Sequence, residues 1–365
     1  MTCKHHRIPV LAGTAALLFA ACSSSSDAEP PPTTPAPSTT TTPPTTSSTT
    51  TTTSTTSTTT TIEATTTTEA PAILMPLTGV RLSDESEIPN RPALVVKLDN
   101  HPKARPQAGL NEADIVFEEN VEGITRFAAV FHTQGSDPVG PIRSGRSQDV
   151  DLLGSLPEPL FAWSGGNPGV RRLINDSSMI NLDAGFTPGY YRRSGRGGAP
   201  HNLFSSTDAL WAHTPETFTV PSPIFPYVAS ADEITGPSAT TANVQMLGLN
   251  VRWDWDPEEG VYRRFQGGNP HQTELSGQVT TDNVVVMGVE YQPSAVDRRS
   301  PEAQTIGSGP VVIFSNGTVR TGRWIHLNRE DPIGFLDDDD TLIGLDPGRA
   351  FVELARDAEN FVTWE

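Results

Sequence analysis

The feature that most constrains the fold is a low-complexity segment that runs from Ser23 to about Pro71 and consists mostly of Thr, Ser and Pro. It has almost no large apolar side chains, so no buried surface would offset the entropy lost on ordering its backbone. We therefore predict a disordered tether over residues 22–72, with an end-to-end distance on the order of 40 Å for a flexible coil. The folded part must come from the remaining chain, about 290 residues, which is long enough for two domains.

Residues 1–21 have the features of an export signal. A basic segment at residues 4–7 precedes Val10–Ala21, an apolar run of about a dozen residues that is too short to cross a bilayer as a mature helix. The run ends in two alanines and Cys22, the pattern of a bacterial lipoprotein signal peptide. We predict lipid attachment at Cys22 and an extracytoplasmic location, with the membrane as a partner through this anchor. The alternative is an ordinary signal peptide that is cleaved nearby and leaves Cys22 free.

Cysteine content and charge narrow the class of protein. Cys3 lies within the predicted signal peptide, so the mature chain keeps Cys22 alone and cannot form an intramolecular disulfide or a cysteine-based zinc site. A formal net charge of −18 argues against nucleic acid and anionic lipid headgroups as partners. No nucleophile elbow, zinc-protease motif, P-loop, dinucleotide-binding motif or EF-hand loop is present. We predict no metal, no cofactor and no nucleic-acid partner, and the sequence leaves open whether the protein is an enzyme.

Strand and short-helix patterns alternate over residues 73–220. Apolar runs bounded by turn residues predict the strands Ala93–Leu98, Ala113–Phe117, Arg126–His132 and Pro159–Trp163. Capping and Pro signals predict helices over Gly145–Leu153 with Ser144 as N-cap, from Pro168 through Ile174, and over Ala209–His213. This alternation predicts an α/β domain with a mixed sheet.

From Pro221 onwards the hydrophobic period changes to two, which is typical of strands. The predicted elements are a hairpin of Val251–Trp255 with Val261–Phe265, a strand at Asn283–Val289, a hairpin of Val311–Phe314 with Thr318–Ile325 around Asn316-Gly317, and a pair of Thr341–Leu345 with Ala350–Leu354. We therefore predict a small antiparallel β-rich domain over residues 221–365, and an α+β fold class for the chain.

Two groups of arginines are candidates for binding an anion. Arg143 and Arg146 flank the predicted helix start, where free backbone N–H groups and a positive partial charge attract anions. Arg192, Arg193 and Arg196 lie in a glycine-rich loop of an otherwise acidic protein. If that loop folds over the helix start, the two groups form one pocket. The alternatives are that Arg143 and Arg146 pair with carboxylates and that the loop is simply solvated.

Candidate acid–base residues follow the first predicted strand and the glycine-rich loop. A histidine beside a carboxylate is a usual general base, so His101 or His201 with Asp99 would supply one. His201 lies between Pro200 and Asn202, a rigid setting, and Asn202 is a further candidate for ligand binding. The alternative is a turn-stabilising network in which these side chains bond backbone groups. No residue is assigned as catalytic.

Several segments together carry a resemblance to a known family: VVKLDNHPKARPQAGLNEADIVFEE, TRFAAVFH, VGPIRSGR and APHNLF, with weaker similarity in GNPH and NVVV. The chain resembles the YerB-like lipoproteins, a bacterial family of two-part proteins of unknown function. The resemblance covers nearly everything after the tether. It implies a lipid-anchored, extracytoplasmic, two-domain protein and supplies no activity.

The leading functional hypothesis is a binding module whose α/β domain recognises an anionic cell-envelope polymer or a protein partner. It rests on the anchor, the tether and the arginines, in the absence of a catalytic motif. The alternative is an envelope hydrolase or transferase that uses His201 or His101 with Asp99. A third hypothesis is a scaffold that acts through strand edges and exposed tryptophans of the β-rich domain.

Overall fold

Strands dominate the structure, a computed structural model in which residues 72–365 are described. The predicted signal peptide, Cys22 and nearly all of the predicted tether lie outside those residues. In chain order the strands are β1 (Leu94–Asp99), β2 (Ile115–Asn120), β3 (Thr125–Phe131), β4 (Leu160–Trp163), β5 (Ile180–Asp183), β6 (Tyr191–Arg192), β7 (Leu203–Phe204), β8 (Thr241–Met246), β9 (Leu249–Asp256), β10 (Val261–Gln266), β11 (Asn269–Pro270), β12 (Thr280–Thr281), β13 (Asn283–Val289), β14 (Tyr291–Pro293), β15 (Pro301–Ala303), β16 (Gly307–Ser315), β17 (Thr318–His326), β18 (Gly334–Leu336), β19 (Ala350–Arg356) and β20 (Val362–Trp364). The α-helices of the described residues are α1 (Asp149–Leu152), α2 (Pro168–Asn175) and α3 (Thr207–Trp211), and 3₁₀ turns lie at Glu85–Glu87, Pro102–Ala104 and Ala231–Glu233. In this part of the chain no helix has the length and apolar character needed to cross a membrane.

The larger sheet has ten strands in the order β18-β17-β16-β13-β19-β2-β3-β1-β4-β5. It is mixed, because β4 runs parallel to β1 and β5, and β19 runs parallel to β2 and β13. A six-stranded antiparallel sheet has the order β11-β10-β9-β8-β20, with β12 paired to β10. Its apolar side chains share a core with one face of the larger sheet. The predicted mixed sheet is therefore confirmed.

The predicted α+β class overstates the helical content. The expected helix at Gly145–Leu153 is reduced to the single turn of α1, and Gln148, not Ser144, is its N-cap residue. The residues before α1 are extended and bond to the neighbouring strands instead. Arg143 N donates to Lys97 O of β1 at 2.8 Å, and Ser164 N, directly after β4, donates to Arg143 O at 2.9 Å. These hydrogen bonds hold the segment extended, so tertiary pairing overrides the local capping signal.

The hairpin predictions had mixed outcomes. The hairpins β9–β10 and β16–β17 are confirmed, and the turn residues Asn316 and Gly317 have φ values of 47° and 69°, as a type I′ turn requires. The predicted pairing of Thr341–Leu345 with Ala350–Leu354 is wrong. β19 lies between β13 and β2, parallel to both, and almost all of its residues are buried. A strand buried on both faces suits a parallel position inside a sheet better than a hairpin.

Both predicted domain ranges, 73–220 and 221–365, contribute strands to the ten-stranded sheet. They meet where β2 pairs with β19, in a register that places Glu118 beside Glu353. Because strand side chains alternate, the two faces of the sheet carry separate apolar cores. The six-stranded sheet covers one of these faces. The position of a domain boundary near residue 220 stays a prediction.

Candidate functional site

The end of β1 directs polar side chains to both faces of the ten-stranded sheet. Lys97 and Asp99 share the face of Val95, and Asn100 contacts Glu118 on the opposite face. Lys97, Asp99 and Asn100 are almost completely buried. Burying a charge is costly unless the charge is paired. The partners of these residues therefore define the candidate site.

Asp99 holds His201 in a fixed orientation. Nδ1 of His201 lies 2.6 Å from Asp99 Oδ2, and the ring of His101 stacks on the ring of His201 with centroids 4.2 Å apart. The backbone N–H of His101 donates to Asp99 Oδ1 at 3.0 Å. With Asp99 as a carboxylate, Nδ1 of His201 carries the proton and Nε2 is left as the basic atom. Burial and the neighbouring His201 lower the pKa of His101, which favours its neutral form.

Arg126 is a buried arginine that has no ion pair among residues 72–365. It lies in β3 directly opposite Asp99 of β1 and is 4% exposed. Its Nη1 donates to Ser144 O at 3.2 Å, and its Nε has no hydrogen-bond partner. Burial, followed by repulsion from Arg146 and Arg143, lowers the pKa of Arg126 to about 9. Glu122 and Asp99 attract the guanidinium group but do not pair with it, so an additional anion in contact with it would be stabilising.

Arg126, Arg143 and Arg146 form what we call the arginine cluster, and its members differ in their pairing. Nε of Arg143 lies 3.4 Å from Asp99 Oδ2 without hydrogen-bond geometry, and the Arg143 side chain is 25% exposed. Nη2 of Arg146 donates to Glu122 Oε2 at 2.6 Å. Arg146 is therefore neutralised by Glu122. Arg143 lies near Asp99, whereas Arg126 is attracted by Glu122 and Asp99 without forming an ion pair among residues 72–365.

A buried ion-pair network fixes the segment that carries the arginine cluster. Nζ of Lys97 donates to Glu119 and, at 2.7 Å, to Asp149 Oδ1. Asp149 Oδ2 accepts the backbone N–H of Arg146 at 2.7 Å. Burial and then repulsion from Glu119 raise the pKa of Asp149 to about 6, against the attraction of Lys97. The network ties β1 and β2 to the start of α1 and so positions the cluster.

A second buried network lies on the opposite face of the same strands. Arg264 of β10 donates to Glu118 of β2, and its Nε lies 3.6 Å from Glu353 of β19. These three residues, which we call the glutamate network, are fully buried. One guanidinium faces two carboxylates, so burial and the Glu118 charge raise the pKa of Glu353 well above its usual value. The network joins the two sheets.

The arginines of the glycine-rich loop pair with groups outside the arginine cluster. Arg193 Nη1 donates to Glu274 Oε1 at 2.7 Å, and Arg196 Nη2 lies 3.4 Å from Glu274 Oε2. Arg192 Nη1 donates to Asn202 Oδ1 at 3.0 Å. The predicted ligand-binding residues that the structure brings into contact with one another at the end of β1 are Asp99, His101, Arg143 and His201.

Sequence reasoning missed Arg126, Lys97 and Glu119 as members of the site. Lys97 lies inside a predicted strand, Arg126 begins one, and Glu119 follows two residues after one. Since an unpaired buried charge is costly, an ionisable residue in or next to such a strand indicates a buried network or a ligand site. The segments VVKLD, VFEEN and TRFAAVF carry that signal.

The arrangement offers two kinds of chemistry. The guanidinium groups of Arg126 and Arg143 suit a carboxylate or phosphate group, which arginine recognises with paired hydrogen bonds. The Asp99–His201 pair offers a base at Nε2 of His201. Within residues 72–365, no group of three or more His, Cys, Asp and Glu side chains is arranged to hold a metal ion.

Comparisons with known proteins point to one family. Residues 77–219 match the N-terminal domain, and residues 242–352 the C-terminal domain, of the protein family of unknown function DUF3048. A relative from Bacillus subtilis (strain 168), named "Putative lipoprotein YerB", is 28% identical over 298 residues, which cover 78% of this chain and 86% of the relative. A crystal structure of the YerB protein from Bacillus subtilis has a TM-score of 0.70 at 23% identity, and the match covers 80% of this chain and 99% of that one. The similarity to this crystal structure shows the fold.

Proposed function

The chain belongs to the YerB-like family of bacterial lipoproteins, and we propose that it binds an anionic group at the arginine cluster. The two domains of this family have no assigned function. The ligand is a carboxylate or phosphate group of a cell-envelope polymer or of a protein partner. One observation supports the proposal above the others: Arg126 is buried and has no carboxylate partner among the described residues. A bound anion would offset the cost of desolvating this cation.

Charge and access at the site are consistent with an anionic ligand. Asp99 carries one negative charge beside the two guanidinium groups of Arg126 and Arg143, which leaves one positive charge locally when His201 is neutral. The Arg143 side chain is 25% exposed, so solvent reaches the cluster there. A partly buried ligand would meet a lower dielectric than in water, which strengthens its attraction to the guanidinium groups.

The proposed setting is the outer side of a cell membrane. A relative carries the name of a lipoprotein, and this chain has the predicted lipid-attachment residue Cys22 ahead of a Thr/Ser/Pro-rich tether. An anchor and a tether of about fifty residues would present the folded part to envelope components within a few tens of ångströms of the membrane.

Salt-specific thermal stabilisation tests the proposal. The protein from Ser23 onwards is melted in phosphate, sulfate and chloride at equal ionic strength. A ligand that binds only the folded state stabilises it by mass action, and each kcal/mol raises the melting temperature of a chain of this size by roughly 2–4 °C. We expect phosphate and sulfate to raise the melting temperature by several degrees more than chloride does.

Arginine variants locate the effect. Arg143→Gln should reduce the anion-specific shift while leaving the fold intact, because this side chain is partly exposed. Arg252→Gln is the matched control, since Arg252 is 44% exposed and pairs with Asp254 on the six-stranded sheet. Equal melting temperatures in all three salts, together with a strongly destabilised Arg126→Gln variant, would mean that Arg126 has a purely structural role.

A second candidate function, acid–base catalysis in an envelope hydrolase or transferase, is favoured by the Asp99–His201 geometry. A buried carboxylate that orients a histidine through Nδ1 leaves Nε2 to accept a proton, and adjacent guanidinium groups would stabilise negative charge in a transition state. Turnover of an activated ester, such as a p-nitrophenyl phosphate ester, tests it. His201→Gln should abolish turnover and keep the phosphate-induced thermal shift. No turnover by the unaltered protein would leave anion binding as the function.

A further inference from the structure

A cavity of about 290 Å³ lies beside Arg105 and Pro106, in the segment that follows β1. Its wall on the other side comes from Asn269, Pro270 and His271, part of the GNPH segment of the sequence. Neither Arg105 nor this segment contributes to the arginine cluster. The cavity is at the lower end of the size range of small-molecule sites.

Arg105 presents an unpaired cation to this cavity. Its Nε and Nη2 donate to Oδ1 and O of Asn100, at 3.2 Å and 2.9 Å, and fix the plane of the guanidinium group. Its Nη1 makes no hydrogen bond, and the side chain makes no ion pair, with any residue from 72 to 365. Burial and then repulsion from Arg264 lower the pKa of Arg105. Glu118 and Asp99 attract it from beyond ion-pair distance. The group is therefore oriented in advance and has no carboxylate in direct contact among residues 72–365.

The floor of the cavity is rigid and carries no negative charge. Arg264 Nη1 lies 2.6 Å from Nδ1 of His271, so Nδ1 accepts and Nε2 donates to Gln107 Oε1 at 2.9 Å. Burial and Arg264 lower the pKa of His271 well below its usual value, which keeps the ring neutral. None of the described residues that line the cavity is acidic.

We propose that this cavity binds the free C-terminal carboxylate of a peptide. The carboxylate would accept from the guanidinium group of Arg105, which matches its planar geometry. The side-chain amides of Asn269 and Gln272 line the same cavity and can bond the adjacent peptide group, while Pro106 and Pro270 supply apolar walls. The proposal is independent of anion binding at the arginine cluster, because the two sites share no residue.

Calorimetric titration of the protein from Ser23 onwards with N-acetylglycylglycine tests the proposal. Its C-terminal amide is the matched uncharged probe. We expect the acid to bind and the amide to bind at least about tenfold more weakly, since a charge-assisted hydrogen bond is worth on the order of one decade or more in affinity. Arg105→Gln should weaken binding of the acid by a similar factor. Arg143→Gln should leave it unchanged, which separates this site from the arginine cluster.

If Arg105→Gln does not fold, a cavity-filling variant tests whether the carboxylate binds in this cavity. Gln272 is exposed at the rim, so Gln272→Trp should block the cavity without disturbing the core. Loss of acid binding in this folded variant supports the proposal. Equal affinity for the acid and the amide, unchanged binding by Gln272→Trp, or no binding of the acid at any soluble concentration would each overturn it.

Discussion

Asp99 and Arg126 lie directly opposite each other across β1 and β3, yet their side chains do not form an ion pair. Opposite charges facing each other across an antiparallel pair normally attract, with a gain of roughly 0.2–1 kcal/mol. Here Asp99 binds His201 and the backbone of His101, whereas Arg126 bonds a backbone carbonyl. The acid and the guanidinium group are thus each directed to other partners, and Arg126 has no ion pair among residues 72–365.

The free energy of unfolding should depend on pH through Asp149. The pKa of this carboxyl is raised to about 6 in the folded protein, so the folded state binds the proton more tightly than the unfolded chain does. The stabilisation is complete below about pH 4 and is lost as the pH rises through about 6. The Asp149→Asn variant cannot titrate at this position. As the pH rises from about 4 to above 6, its free energy of unfolding should therefore increase by roughly 3 kcal/mol relative to that of the unaltered protein.

Urea denaturation from acid to neutral pH measures this difference. Asp338→Asn, at an exposed turn residue, controls for the loss of one negative charge. A stability difference between Asp149→Asn and the unaltered protein that stays constant with pH would show that Asp149 is ionised throughout the range in the folded protein.

Two isosteric substitutions in the glutamate network should have unequal costs. Glu353 has a raised pKa and so resembles a neutral amide, and Trp253 Nε1 still has an acceptor at that position in Glu353→Gln. We expect this variant to change the free energy of unfolding by less than about 1 kcal/mol. Glu118→Gln removes the counter-charge of buried Arg264 and should cost roughly 3–5 kcal/mol.

Chemical denaturation of the two variants under identical conditions gives the comparison. Equal destabilisation would mean that both carboxylates are ionised and share Arg264 evenly. A larger cost for Glu353→Gln than for Glu118→Gln would reverse the assignment of the proton.

Separate expression of residues 73–220 and 221–365 tests the predicted domain boundary. The pairing of β2 with β19 and the ion pair between Glu118 and Arg264 cross that boundary. We expect each fragment alone to be poorly soluble and the two together to form a complex, because separation exposes strand edges and leaves buried charges unpaired. Cooperative thermal unfolding of each isolated fragment would instead establish two independent domains.

Lipid attachment at Cys22 is tested by Cys22→Ser. The predicted anchor supplies the affinity for the membrane, so the variant should move from the membrane fraction to the soluble fraction. Treatment with high salt is the control, since it releases proteins held by surface charge. Retention of Cys22→Ser in the membrane fraction would contradict the anchor.

Several elements with local signals were predictable from the sequence, although the helix predicted at Gly145–Leu153 was not among them. The strand Asn283–Val289 and the start of α2 at Pro168 follow the predicted positions, and Asn167 caps α2 by accepting the N–H of Val170 at 2.9 Å. The parallel pairing of β2 with β19 was not predictable, because it joins segments more than two hundred residues apart and leaves no turn signature.

Several residues of the candidate site could be predicted from the sequence, but the arrangement of their side chains could not. Asp99 with His201 was a candidate pair, although the residues are far apart in the chain. Arg193 and Arg196 have Glu274 as partner, a residue in a loop without a motif, so residue spacing could not reveal the pairing. Arg126 lies inside an apolar strand pattern that indicates packing, and its burial without a counter-ion is visible only in three dimensions.

The alternation of Lys97, Asp99 and Asn100 between the faces of β1 has a consequence for how the chain finds its pairing. A slip of β1 by one residue would exchange the two faces and bring Asp99 towards Glu118 while removing Lys97 from Glu119. At Val284–Val286 of β13 the same shift would replace Val by Val and keep both faces apolar. In β1 the shift would bury like charges together. Electrostatic mismatch therefore rejects wrong registers of β1 that hydrophobic packing alone would accept.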